Sequence, residues 1–308
     1  MAAIETRSLS KRFGSLHAVR DLDLTVESGE VFGFLGPNGA GKSTTINILL
    51  DFVRRSSGDV NVLGYDPERN PQAVRQRIGV LSEGTGFYPR DTARDHVAFA
   101  IEMERAGDDP DAVLERVGIA DAADRAVGGF SKGMRKRLGL AIALVGDPEI
   151  LVLDEPLGGL DPEGAQRLRE IIRAERDRGA AVFFSSHIMD QVEAICDRVG
   201  ILHDGELVAV DTVDRLRTSV AEPARFNLVF ASVPEDVPAA VRAVDGVTDV
   251  TVAGETVRVT CRDPAVKSAV VARVDSLDAT IRDIDTPGSS LERVFRSVTD
   301  DADGHVDG

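Results

Sequence analysis

Apolar positions along this chain of 308 residues follow two periods. Short, nearly unbroken apolar runs at 31–35, 150–154 and 182–186 predict strands of a parallel sheet, covered on both faces. Ile46, Leu49, Leu50 and Val53 recur at i, i+3, i+4 and i+7, and Met134, Leu138, Ala141, Ile142 and Val145 share the helical period; each set predicts one face of a helix. The stretch from about 83 to 145 reads as mostly helical, inserted between two halves of the sheet. After about 216 the pattern changes. Residues 225–231 and 247–261 read as strands, 234–244 and 264–277 as helices, and 290–295 as a closing helix. The prediction is an α/β domain over 1–215, a linker at 216–224, a small α+β domain at 225–299 and a disordered, acidic tail at 300–308.

Composition narrows the class. The length suits one large domain and a smaller one, and a hydrophobic content of 43% is that of an ordinary globular protein. The longest apolar candidate, 138–146, falls far short of the roughly 18 to 20 residues of a membrane span. No signal peptide precedes the first strand pattern, so a cytoplasmic location is expected. Cys196 and Cys261 lack metal-ligand spacing and read as buried, reduced thiols. A net charge of −16 argues against a nucleic-acid partner. Only five of the 36 basic residues are Lys; abundant Asp with scarce Lys resembles proteins of salt-accumulating organisms, and activity in molar KCl is expected.

The chemistry begins at Gly36-Pro37-Asn38-Gly39-Ala40-Gly41-Lys42-Ser43-Thr44, a G-x-x-x-x-G-K-[ST] loop between a strand and a helix. Glycines let successive N–H groups curl into one concavity, and the helix adds its positive dipole end, which together make a nest for phosphates. Lys42 is placed to reach β- and γ-phosphates and Ser43 to ligate Mg²⁺. The run 150–153 ends in Asp154 and Glu155, which sets two carboxylates at the C-terminal edge of a parallel sheet, where ligands of such sheets bind. Asp154 is expected to hold Mg²⁺ through water and Glu155 to orient and polarise the attacking water. Ser131 reads as the N-cap of the helix after Gly129-Phe130. Lys132, Arg135, Lys136 and Arg137 then crowd positive charge near that helix N-terminus, where the macrodipole disfavours it. The cluster faces an anion or is neutralised by neighbouring carboxylates.

The phosphate loop, the serine-led helix, the Asp-Glu strand, Gly159-Leu160-Asp161 and Ser186-His187 occur in the order found in the nucleotide-binding subunits of ATP-binding cassette (ABC) transporters, which residues 1–215 resemble. The resemblance implies a phosphate-loop NTPase fold: a RecA-like ABC ATPase core with an antiparallel β subdomain and a helical subdomain, here followed by the small α+β domain. It implies a Mg²⁺-dependent ATPase in which two subunits, as a homodimer or heterodimer, pack head to tail around ATP. Ser131 and the Gly133 N–H then touch the γ-phosphate bound by the partner, Phe13 stacks on adenine, Val19 packs on the nucleotide from the other side, His187 contacts the γ-phosphate, and Asp161 sits in a turn at the dimer interface. Two departures stand out. Glu83 occupies the place of the family's usual Gln as a metal contact, and Ser131-Lys132-Gly133-Met134 replaces Ser-Gly-Gly-Gln, which resembles the exporter (ABC-2 type) branch serving a separate permease. The loop at 84–90, with Phe87 and Tyr88, is the expected permease contact, which would hold the subunit at the cytoplasmic face of the membrane. A soluble ABC ATPase with a mechanical or regulatory role is the alternative.

Overall fold

In the computed structural model, which describes residues 1–82, 84, 86–219, 224–263, 265–277, 279–285, 291, 294 and 295, the unbroken apolar runs become the centre of a six-stranded sheet. Strands β3 (Val31–Leu35) and β7 (Ala181–Ser186) are buried at every position, and β6 (Ile150–Asp154) is buried as far as Leu153. Phe183 packs on both Phe32 and Phe34, with ring centroids 6.0 and 5.1 Å away; each such ring contributes roughly 1.5–3 kcal/mol by leaving water. With β5 (Ile78–Leu81), β8 (Arg198–His203) and β9 (Glu206–Thr212), the strand order is β5-β6-β7-β3-β8-β9. All neighbours are parallel except β8 and β9. Leu35 lies beside Ser186, and Ser185 beside Asp154. The C-terminal ends of β3, β7 and β6 therefore open side by side.

A second sheet covers this one. Strands β1 (Ala2–Phe13), β2 (Leu16–Glu27) and β4 (Ser57–Val62) pair antiparallel in the order β2-β1-β4. Their inward residues, among them Ile4, Leu9, Val19 and Leu22, share one core cluster with Phe32, Phe34 and Phe183. Helix α1 (Lys42–Leu49) delivers Ile46 and Leu49 to the same cluster. It ends before Val53, so the expected helical face is shorter by about one turn. The short α2 (Pro71–Arg75) leads into β5.

Between β5 and β6 the chain forms α3 (Ala93–Glu104), α4 (Pro110–Arg116) and α5 (Lys132–Ala143). Thr92 and Asp95 close a reciprocal capping box on α3, with N–H to side-chain oxygen distances of 2.9 and 3.1 Å. Ser131, extended at φ −63 and ψ 166, caps α5 by accepting the Met134 N–H at 3.2 Å, as its sequence position predicts. The far end of α5 lies so close to β5 that a Cβ on Gly79 would fall 2.8 Å from the Ala143 carbonyl carbon. Helix α6 (Pro162–Asp177) joins β6 to β7, and α7 (Met189–Glu193) joins β7 to β8.

The chain divides into two units, Met1–Leu216 with Phe295, and Arg217–Val294. Helix α8 (Val213–Ser219) runs into the stretch that the sequence leaves as a linker. In the second unit, β10 (Ala224–Phe230), α9 (Val237–Arg242), β11 (Val247–Ala253), β12 (Thr256–Cys261), α10 (Val266–Asp275) and β13 (Ile281–Asp285) follow one another. The antiparallel order β11-β12-β10-β13 is that of a split βαβ unit. Phe226, Leu228, Val257 and Val259 face Val241, Val270 and Val274 in its core. The stretch 247–261, which reads as strand, folds back as a hairpin, because Gly254 takes φ +58 and brings Ala253 opposite Thr256. Strand β13 is an element that the apolar pattern does not announce. The expected tail at 300–308, Glu83 and half of the closing helix, residues 290, 292 and 293, lie outside the described residues.

Candidate functional site

The loop between β3 and α1 is shaped by what surrounds it. A Cβ on Gly36 would run into the Leu202 carbonyl and Ala40, and Gly41, at φ +107, leaves no room for one beside the Ala18 carbonyl. The backbone therefore curls tightly enough to bury the Lys42 side chain, whose ammonium donates to the Gly36 and Pro37 carbonyls at 2.6 and 3.0 Å. Its charge is held within the loop's concavity. Thr45 Oγ1 closes the first turn of α1 onto the Gly41 carbonyl at 3.0 Å, while Ser43 stays exposed.

This loop floors a cleft of about 480 Å³ that also takes in Phe13, Ala18, Asp154 and Glu155. Phe13 is 48% exposed and carries the Lys11 ammonium 4.6 Å from its ring centroid, so the ring lies at the surface beside a cation and is not a core residue. Val19 does not reach the cleft. It is fully buried in the core cluster, whereas Leu16, His17, Ala18 and Arg20 of the same strand line the cleft. Val19 thus lies behind the part of the cleft wall that Ala18 forms.

The two carboxylates are held differently. Ser185 Oγ donates to Asp154 Oδ1 across the neighbouring strand. Glu155 follows in a left-handed conformation at φ +48, a region that non-glycine residues rarely occupy. Its N–H bonds the Ser185 carbonyl at 3.1 Å. Its Oε1 accepts the His187 N–H at 2.9 Å and lies 2.7 Å from His187 Nδ1, and Ser186 Oγ is 3.4 Å from Oε2. A carboxylate partner on Nδ1 selects the imidazole with its proton there. The exposed hydroxyl of Ser43 and the carboxylate of Asp154, in one cleft, are hard oxygen donors of the kind Mg²⁺ takes. The fit to a magnesium nucleotide is good.

Ser131, Gly133 and Asp161 stand apart from this cleft. Asp161 caps α6 by accepting the Gly164 N–H at 3.0 Å, and a Cβ on Gly133 would lie 3.5 Å from Leu160, so the α5 N-terminus and the 159–161 turn adjoin one another. Three of the four cations near the α5 N-terminus donate to backbone carbonyls. Arg135 donates to the Gly128 carbonyl at 3.3 Å, Arg137 to the Gly118 carbonyl at 3.1 Å and Lys136 to the Glu155 carbonyl. In the 84–90 loop, Phe87 packs edge-on to His96 at 5.5 Å, while Tyr88 is 74% exposed. Both cysteines are buried and outside any disulfide, and burial pushes the Cys196 thiol well up. No helix among the described residues is long and apolar enough to cross a membrane.

Sequence comparison agrees with this geometry. The family described as ABC transporter matches residues 19–158. The chain is 30% identical over 308 residues to the linearmycin resistance ATP-binding protein LnrL of Bacillus subtilis (strain 168), covering 96% of this chain and 98% of that protein. It is 32% identical to the daunorubicin/doxorubicin resistance ATP-binding protein DrrA of Streptomyces peucetius, covering 96% and 92%, and 39% identical to the bacitracin transport ATP-binding protein BcrA of Bacillus licheniformis, covering 73% and 74%. Among solved structures, an ATP-binding subunit of an ABC transporter superimposes with a TM-score of 0.65 at 27% identity, covering 70% of this chain and 92% of that one. A nucleotide-free ATP-binding cassette shares the fold at 23% identity, with a TM-score of 0.63 over 72% of this chain and 96% of that one. The chain belongs to the ABC transporter ATP-binding proteins.

Proposed function

We propose that this protein is the Mg²⁺-dependent ATPase subunit of an exporter, working as a dimer at the cytoplasmic face of a membrane to drive a separate permease. The observation that carries the hydrolytic reading is the carboxylate of Glu155, fixed by His187 in the same cleft as the phosphate loop. The exporter reading rests on relatives named for antibiotic transport or resistance, matched over nearly their full length in two cases.

The N–H groups from Gly39 to Thr44 and the Lys42 ammonium bind the phosphates, and Phe13 takes the adenine on its exposed ring. Ser43 and Asp154 would hold Mg²⁺, with Glu83 as a further ligand. When bound, the metal neutralises charge on the β- and γ-phosphate oxygens. Glu155 accepts a hydrogen bond from the attacking water and orients it, and His187 keeps the carboxylate aimed. Ser131 and Gly133, outside this cleft, serve the nucleotide of the partner subunit, and Asp161 lines the interface between the two. Tyr88 is the exposed aromatic offered to the permease.

Steady-state hydrolysis by the full chain and by Glu155→Gln tests the motor reading. Turnover in the wild type and a loss of about 100-fold or more in the variant, with ATP-trapped dimers on gel filtration, are expected. A wild type without turnover, alone and with its membrane partner, overturns it. Pull-down from detergent-solubilised membranes tests the permease, and recovery of no multi-span protein counts against the exporter assignment.

A further inference from the structure

Glu155 is held from two sides, and one of its partners belongs to a helix otherwise separate from the cleft. Its N–H and carboxylate bond β7 and the residue that follows it. Its carbonyl turns the opposite way, to the Gly158 N–H at 3.3 Å and the ammonium of Lys136. Lys136 stands five residues along α5 from the cap Ser131, about 7.5 Å of helix rise. One turn before it, Lys132 lies along the same chain segment. A Cβ on Gly159 would fall 2.8 Å from Lys132 Cδ, and one on Gly158 would fall 3.8 Å from Lys136 Nζ. Two lysines at i and i+4 thus flank the turn that follows Glu155.

We propose that Lys136 is a positioning residue for Glu155: by holding its carbonyl, Lys136 fixes the left-handed backbone that aims the carboxylate at His187 and the cleft. A residue at φ +48 has other, easier conformations, and rotation about its N–Cα bond toward one of them carries the carbonyl and the side chain together. The consequence reaches beyond one site. Ser131 and Lys136 ride on one rigid helix, so a shift of α5 when Ser131 meets the partner's nucleotide is transmitted to the Glu155 of its own chain. This inference rests on the reading of Glu155 as the residue that orients water.

The test uses the full chain with Lys136→Met and Lys136→Arg, and Glu155→Gln as a separate arm. Lys136→Met is expected to lower kcat by about tenfold or more while leaving KM for ATP and Tm unchanged, and Lys136→Arg to recover most of the loss. Amide exchange at Leu157, Gly158 and Gly159 should quicken in Lys136→Met, with β6 unaffected. Wild-type kcat in Lys136→Met overturns the proposal, as does a joint fall of kcat and Tm that Arg does not rescue, which is the mark of a merely structural tie. Undiminished turnover in Glu155→Gln instead overturns the reading of Glu155 as the residue that orients water, so the two failures are distinguishable.

Discussion

One oxygen of Glu155 faces both the N–H and the ring Nδ1 of His187, at 2.9 and 2.7 Å. The side chain of His187 is 47% exposed while that of Glu155 is 12% exposed, so the pair spans the boundary between cleft and solvent. Substitution His187→Ala removes the ring but keeps the backbone bond. A charge-assisted hydrogen bond is worth about 1.5–3 kcal/mol, which translates into a kcat roughly 10- to 100-fold lower. Nucleotide binding, read from a fluorescent ATP analogue, should persist; loss of binding along with turnover would contradict this division of roles.

Ser131 caps α5, and the proposed dimer gives it a second duty that substitutions can separate from the first. As the N-cap of α5 it stabilises the helix, and Ser131→Ala should cost about 1 kcal/mol, whereas Ser131→Asn supplies an equivalent cap. Both variants should lose hydrolysis, because neither keeps the hydroxyl that the proposed dimer sets against the partner's nucleotide, yet only Ala should lower Tm. Normal turnover in Ser131→Asn would reduce the residue to a cap.

The central strands and the phosphate loop were legible because a strand covered on both faces must be apolar throughout, and because the loop's glycines and lysine are dictated by the anion they cradle. Side-chain facing on β2 was not. The pairing of β1 with β2 shifts register between Leu9 and Lys11 and again between Lys11 and Arg12, so a count of alternating positions cannot tell Ala18 from Val19. The partners of the cation cluster were equally hidden, since Gly118, Gly128 and Glu155 are brought to α5 only by tertiary packing. Strand β13 alternates Ile281 and Ile284 with three charges at a sheet edge, a pattern too short and polar to stand out.

Glu175 of α6 is 1% exposed and accepts from Arg116 of α4 on one oxygen and from Arg178 on the other, the latter at 2.9 and 3.1 Å. The carboxylate ties the helical insertion to the sheet domain. Removing one arginine leaves it paired, but Arg116→Met with Arg178→Met strands a buried charge at a cost of about 3–5 kcal/mol. Urea unfolding should show the double variant losing more than the sum of the singles. Simple additivity would mean that each arginine acts alone.

Gly79 permits the contact between β5 and the end of α5. Gly79→Ala would press a methyl into the Ala143 carbonyl, and neither backbone can yield without disturbing the sheet or the helix, so a loss of about 1–3 kcal/mol or more is expected. The same change at Gly39, whose Cβ direction is open but whose φ is +87, should cost less stability and fall instead on nucleotide affinity. Equal losses of Tm in the two variants would refute the steric account of Gly79.

The acid limb of stability should report Asp66. Both of its oxygens accept from the Arg55 guanidinium, at 3.1 and 2.8 Å, in a pair whose side chains are 13% and 21% exposed. That bidentate bond, aided by the Glu68 N–H, holds the Asp66 carboxyl below its ordinary value. A carboxyl with a lower pKa folded than unfolded stabilises the fold above the unfolded value, near 3.9, and loses that contribution as pH falls through the folded one. Asp66→Asn should therefore be less stable than the wild type by about 1–3 kcal/mol at pH 7, and the difference should shrink as pH drops below about 4. Urea unfolding of both proteins at pH 7 and pH 3 measures it; a gap that does not narrow would assign the stabilisation to packing of Arg55 and not to the charge on Asp66.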